Sequence, residues 1–269
     1  MPIVRNEVSS GLKKTAESPS ATDRYRLYFW NYRAVYLGPS PENALHRHHA
    51  AQLCIGLQRE LRVRTGTDER WQHAPAFIIP PDKLHQVDAQ GGRIMAIYWE
   101  PESDDCPLLE SAVSAYHLAT RADMDPADLR DRPIDAQWSY WARCLEFPDP
   151  PPFRVPQDSR VRRVIDSIRA HPHRAHAIEH LAATVSLSAS RLRHLFVESV
   201  GVPIRQFLLW TRIRTVIHHV ILGASLTDAA YAAGFSDAAH MTHTFRRTFG
   251  FAPSQLFRVR GRIGIGTGN

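Results

Sequence analysis

Cysteine is scarce in this chain of 269 residues: Cys54, Cys106 and Cys144 stand far apart and form no CxxC pair. That spacing excludes a disulfide framework and a thiolate-bound zinc, and leaves ordinary reduced thiols. No run of about eighteen apolar residues occurs, which excludes a membrane-spanning helix. The first twenty residues are polar and lack the apolar core of a signal peptide. A cytoplasmic location with no membrane partner is therefore expected. Lysine is missing altogether after Gln157, yet fifteen Arg against six acidic residues give that part a balance of +9. The preceding part carries eighteen basic and twenty-one acidic residues, a balance of −3. The net +6 thus resides wholly in the C-terminal part, the asymmetry of a nucleic-acid module joined to a near-neutral domain.

The chain divides by texture. Residues 1–20 have no periodicity and read as a disordered tail. Over 21–105 short stretches alternate, as in Leu53, Ile55 and Leu57 or Leu61 and Val63. Turn signals at Gly38-Pro39, Thr65-Gly66, Pro80-Pro81 and Gly91-Gly92 punctuate them, the pattern of a small antiparallel barrel or sandwich. Residues 106–147 turn helical, with Leu108, Leu109, Ala112, Val113 and Tyr116 on one stripe and Ile134, Trp138, Trp141 and Leu145 on a second. Exposed apolar stripes need a partner, so this element is expected to make a homodimer. A Pro-rich linker over 148–157 admits neither helix nor strand. Helical pattern then runs over 158–257, and the last stretch, 258–269, is a Gly-rich tail expected to fray. The fold class is α+β, with an N-terminal β-barrel and an all-α C-terminal domain.

Residues 178–196 reappear in degenerate form over 226–245. Each copy predicts a short helix (178–185; 226–233), a tight turn and a second helix opened by an N-cap, Ser188 or Asp237. Leu192, Leu195 and Phe196 form the core face of one second helix, Met241 and Phe245 that of the other. Alanines at 182, 183, 229 and 230 let the helices of each pair cross closely, as a helix-turn-helix requires. Gly234 suits a turn at positive φ, where Ser186 is the less comfortable counterpart. Between the copies, residues 203–222 predict one helix of about 30 Å, close to the roughly 34 Å between successive major grooves on one DNA face.

The stretches 212–216, 226–235 and 241–253, with Arg212, Gly234-Phe235, Phe245-Arg246-Arg247 and Pro253 as markers, closely resemble the AraC/XylS family of bacterial transcription regulators. The resemblance spans about a hundred residues, 158–257. It implies sequence-specific promoter binding, usually activating, with RNA polymerase as a further partner. Side chains off the core face must face the groove. In the first unit these are Ser190, Arg193 and His194, which match the family's base-contacting positions; Arg193 can donate twice to guanine. In the second they are Ala239, His240 and His243, where many relatives carry a longer polar side chain. Arg191, Arg246 and Arg247 read as phosphate contacts.

In the N-terminal part, Leu45-His46-Arg47-His48 with Gln52, and Pro80-Pro81-Asp82 with His85, resemble the two cupin motifs. The cupin-like resemblance implies that His46, His48 and His85 converge, either on a divalent metal or beside an organic effector that Gln52 also touches. Gln52 stands where cupins carry an acid, and Asp82 where they carry a glycine. His49, His73 and the group His171, His173 and His176 read as surface or linker residues. The leading reading is a transcription regulator, not an enzyme, controlled by a small-molecule effector. Its rival is a metal-dependent cupin enzyme with an accessory DNA-binding domain. A DNA-repair methyltransferase would need an activated cysteine, and none of the three sits in a basic setting.

Overall fold

Alternating apolar residues between Arg26 and Trp99 resolve into eight strands, and the basic C-terminal part into seven helices. The computed structural model describes residues 25–29, 32–67, 70–102, 136, 158–257 and, as backbone, 262–265. The tail 1–20, the linker 148–157, Cys106, Cys144 and, apart from Ala136, the element 106–147 lie outside the described residues.

The strands are β1 (Arg26–Phe29), β2 (Arg33–Pro39), β3 (Ala51–Gly56), β4 (Leu61–Thr65), β5 (Gln72–Ala74), β6 (Ala76–Ile79), β7 (His85–Asp88), β8 (Arg93–Trp99) and β9 (Arg262–Ile265). Among the described residues they form two sheets, ordered β6-β3-β8-β2-β1-β9 and β5-β4-β7. The expected short strands of the N-terminal part thus form two layers, antiparallel throughout β1–β8. They are joined by packing: Cys54, Ile79, Ile94 and Ala96 of one sheet meet Leu61, Val63 and Val87 of the other. Residues 262–265, placed by the sequence in the frayed tail, instead pair parallel with β1, Leu27 opposite Ile263. Two β-branched isoleucines make this stretch better strand than its one glycine suggests.

The helices are α1 (Ser159–Ala170), α2 (Ile178–Thr184), α3 (Ala189–Val200), α4 (Ile204–Ile221), α5 (Leu226–Ala232), α6 (Ala238–Phe249) and α7 (Pro253–Phe257). Both expected caps are made: Ser188 accepts from Arg191 N–H, and Asp237 from His240 N–H at 2.7 Å. Each satisfies a donor that the first helical turn leaves without a partner. The helix α4 is the rod, 18 residues and so about 27 Å long. Its first half, through Phe207, belongs to the core of the first unit with Val164, Leu192 and Phe196. Its second half, through Ile213, Val216 and Ile217, belongs to the core of the second with Met241 and Phe245. Ala182, Ala229 and Ala230 are buried at the crossings; Ala183, also expected there, is exposed.

The two turns test backbone chemistry directly. Ser186 has φ +57° and Gly234 φ +83°. A Cβ on Gly234 would also lie 2.5 Å from His173 Cα. Because a side chain at positive φ costs about 1–2 kcal/mol, Ser186→Gly should stabilise the protein by about 0.5–1 kcal/mol after the entropy lost to glycine. Gly234→Ala should destabilise it by about 2 kcal/mol or more. Urea unfolding of both variants measures the pair, and equal effects of the same sign would contradict this account.

Candidate functional site

The caps that start α3 and α6 also decide which side chains those helices show to solvent. With Leu192, Leu195, Phe196, Met241 and Phe245 turned inward, Ser190, Arg191, Arg193 and His194 are exposed on α3. Ala239, His240, His243, Arg246 and Arg247 are likewise exposed on α6. Among the described residues Arg193 has a loose ionic neighbour, Glu179 at 3.9 Å, which leaves its planar fork available to a base edge. His240 is more constrained. Its Nδ1 lies 3.2 Å from Ser236 Oγ, and its ring stands edge-on to Phe235.

The three histidines singled out by the cupin resemblance do come together. His46 and His85 face each other across a reciprocal backbone pair, each N–H donating to the other's carbonyl at 2.9 Å. His48 follows two residues on, so its side chain returns to the same side. One ring nitrogen from each of the three lies within 4.8 Å of the others. All three are buried. Burial, reinforced by the neighbouring imidazoles, lowers His46 to about 3 and His85 to about 2, and burial also lowers His48. The cluster is therefore neutral at ordinary pH. Asp82, at the glycine position of the second motif, adopts φ +56° and accepts from Gln206 Nε2 on α4 at 2.5 Å.

Against this cluster lies a cleft the sequence did not reveal, because it is built from both halves of the chain. It encloses about 890 Å³, part of it open to solvent. Leu27, Tyr36 and Ile94 come from the sheet, Trp210 and Phe249 from the helices, and Phe251 from the bend between α6 and α7. His46 and Gln52 reach its wall, as do Arg33, Glu100 and Arg214. His48 and His85 stand behind it.

Glu100 and Arg214 in the cleft wall belong to a network of buried ion pairs. Glu100 accepts from Arg169, Arg214 and, at 2.9 Å, from Trp210 Nε1. Glu102 accepts from Arg169 at 2.6 Å and pairs with His49 Nε2 at 2.6 Å. His49, expected at the surface, is thus buried in the seam, because an acid on a distant segment offers it a partner. Burial alone would raise the Glu102 carboxyl; His49 and Arg169 beside it hold it far below the usual range.

The repeat of capped helix pairs along one rod is matched by known proteins. Residues 181–258 match the family described as "Helix-turn-helix domain". They form an AraC-type helix-turn-helix domain. Over 99 residues the chain is 34% identical to an uncharacterized HTH-type transcriptional regulator of Staphylococcus aureus (strain MSSA476), covering 36% of this chain and 13% of that protein. Over 116 residues it is 26% identical to the uncharacterized HTH-type transcriptional regulator YidL of Escherichia coli (strain K12), covering 43% and 38%. The chain therefore spans a minor part of the curated relatives it matches. In fold, it is similar to ToxT of Vibrio cholerae O395 bound to (E)-4-(8-methylnaphthalen-1-yl)but-3-enoic acid, with TM-score 0.54, 10% identity and coverage of 85% and 99%. ToxT from strain SCE256, bound to an unsaturated fatty acid, gives TM-score 0.52, 11% identity and coverage of 85% and 96%. At these identities the likeness is one of fold.

The AraC-type domain thus carries the expected recognition residues on its surface, and these matches are to regulators rather than enzymes. Burial pushes the Cys54 thiol up to about 12, the wrong direction for a nucleophile. No helix among the described residues is long and apolar enough to cross a membrane. What sequence reading missed is the seam of Glu100, Glu102, Arg169 and Arg214. A signal existed: Arg214 falls on the same stripe as Trp210, Ile213 and Ile217, an Arg on the buried face of a helix.

Glu102→Gln removes the charge facing Arg169 and His49. Breaking a buried pair from one side should destabilise the folded chain by about 3–5 kcal/mol. The Glu102 carboxyl is depressed in the folded state, so its contribution is complete above its ordinary value of 4.5 and is lost as pH falls below it. Between pH 5 and pH 3 the wild type should therefore lose stability more steeply than Glu102→Gln. Parallel pH profiles in urea unfolding would refute this role.

Proposed function

We propose that this chain is a sequence-specific DNA-binding transcription regulator. The reading is carried by one observation: two capped recognition helices, both exposing their non-core side chains, are held on a shared rod in a part of the chain with a +9 balance. A rod of about 27 Å can present two helices to successive major grooves on one face of a duplex. Promoter DNA is the partner, with Ser190, Arg193 and His194 reading bases in one groove and Ala239, His240 and His243 in the next. Arg191, Arg246 and Arg247 hold phosphates. As a promoter-bound activator the protein would meet RNA polymerase. A second copy would join through 106–147, where the apolar stripes of the sequence lie.

The seam cleft is the effector site in this reading. Its wall is mostly apolar, with Arg33 and the Glu100–Arg214 pair as charged groups, which suits a hydrophobic molecule bearing one polar or acidic end. The ToxT structures, whose ligands are a fatty acid and an aryl butenoic acid, favour the same class. Such a ligand touches both halves at once, so it can bind two arrangements of the halves with different affinity. That difference is what control of DNA binding requires.

Selection from a random duplex pool with the full chain tests the DNA reading. Affinity should fall steeply with salt, with a log–log slope of about −0.9 per phosphate contact. Arg193→Ala should lose about 1–3 kcal/mol at the selected site and relax base choice there, with smaller changes for His240→Ala or His243→Ala. A folded chain that binds no duplex at low salt would refute the proposal. An unsaturated fatty acid at a hundredfold excess over its Kd should stabilise the chain by about 2.7 kcal/mol. Arg33→Ala should reduce that gain; a gain unchanged by Arg33→Ala would place the ligand elsewhere.

A further inference from the structure

The loop 171–177, between α1 and α2, belongs to the first helix-turn-helix unit but touches the second. It is tied into a compact turn: Arg174 N–H donates to the His171 carbonyl at 3.0 Å, and His176 Nε2 donates to the same oxygen at 2.8 Å. From the rod α4, Arg212 reaches this loop twice. Its Nε donates to the Pro172 carbonyl at 2.9 Å and its Nη2 to the Arg174 carbonyl at 3.1 Å. The loop also lies against the turn of the second unit. A Cβ on Gly234 would fall 2.5 Å from His173 Cα and 2.8 Å from the His173 carbonyl oxygen, so only bare backbone fits there.

Such a brace has a purpose because the cores of the two units share no residue. Phe207 belongs to the first and Ile213 to the second, and Arg212 stands on the rod between them. A helix fixes the distance between two units packed on it, whereas their rotation relative to each other depends on what else touches both. Arginine suits the task, since its flat fork serves two carbonyls at once and a lysine ammonium is a single point charge. Among the described residues Arg212 has no acidic partner, so its donors hold backbone rather than neutralise charge. We infer that Arg212 is a positioning residue for DNA recognition. By holding the loop 171–177 against the Gly234 turn, it fixes the angle between α3 and α6 and so the spacing of the two half-sites the chain accepts. The inference rests on the reading of α3 and α6 as helices for two successive grooves.

A duplex makes that angle measurable. One base pair added between two half-sites turns the second groove by roughly 35° about the DNA axis and moves it by about 3.4 Å. A braced pair of helices meets one spacing. A pair free to rotate about the rod also accepts its neighbours, at the cost of affinity for the best site, because the freedom is lost on binding.

The test uses the full chain, the duplex selected from the random pool, and the same duplex with one base pair inserted between its half-sites. The insertion should cost the wild type about a hundredfold in affinity and Arg212→Gln about tenfold or less. Arg212→Lys keeps the charge without the fork and should behave like Arg212→Gln. A smaller insertion penalty is a change that misfolding cannot imitate. Base preference within each half-site and the salt slope should stay as in the wild type. A slope reduced by about 0.9 would make Arg212 a phosphate contact and overturn the inference; so would an insertion penalty unchanged in both variants. A second measurement needs no DNA. Spin labels at Glu198→Cys on α3 and Arg247→Cys on α6, in a chain carrying Cys106→Ser and Cys144→Ser, report the distance between the two helices. Its distribution should be narrow with Arg212 and broader with Arg212→Gln. Equal widths would overturn the inference whether or not the chain bound a duplex, so its failure is separate from failure of the regulator reading.

Discussion

Two carboxylates just beyond β8 hold the sheets and helices in one arrangement. Glu100 and Glu102 reach across the seam to Arg169 on α1, to Arg214 and Trp210 on the rod α4, and back to His49. Taking so many charges out of water contributes little net stability, since desolvation offsets most of the attraction. Its effect is on geometry. An acid this deep disfavours any arrangement that leaves it unpaired, so docking is biased toward the one in which Arg169 meets both glutamates and Arg214 meets Glu100.

The same seam makes the two halves share a core. Tyr25, Leu27 and Phe29, one face of β1, are packed with Ile217, Phe245 and Leu256 of the second helix-turn-helix unit. The first unit has a core of its own and touches the sheets chiefly through the ionic contacts. The two recognition helices are therefore unequal. One is carried on an independent core, whereas the other shares its packing with the sheet, the cleft and the histidine cluster. A molecule lodged in the cleft would press on the second unit first.

Much of the helical half was legible because its determinants are local. Ser188 and Asp237 cap the helices they precede, and Gly234 turns where a Cβ would strike His173. Even the awkward Ser186 was readable, since a turn at that place needs positive φ whichever residue fills it. Ala183 shows the limit of such reading. Small residues permit a close crossing, but which of two neighbouring alanines lies in it depends on helix phase against a partner. His49 and β9 failed for the same cause. One found an acid 53 positions away, and the other a strand more than two hundred residues earlier.

The sequence by itself determined which side chains of the two second helices face solvent, because a 3.6-residue period and a cap leave only one face of each helix for it. The HxH alternation places His46 and His48 on one side, and the cupin resemblance implied that His85 joins them, as the structure shows. Only the tertiary structure decided where that meeting place lies, beside Gly250 at the end of a recognition helix, and that Asp82 bridges to Gln206 across the seam. Only it produced the cleft. Periodicity reports which face of an element is buried, but carries no information on which face of another element will cover it; that choice belongs to long-range packing and to the pairing of buried charge.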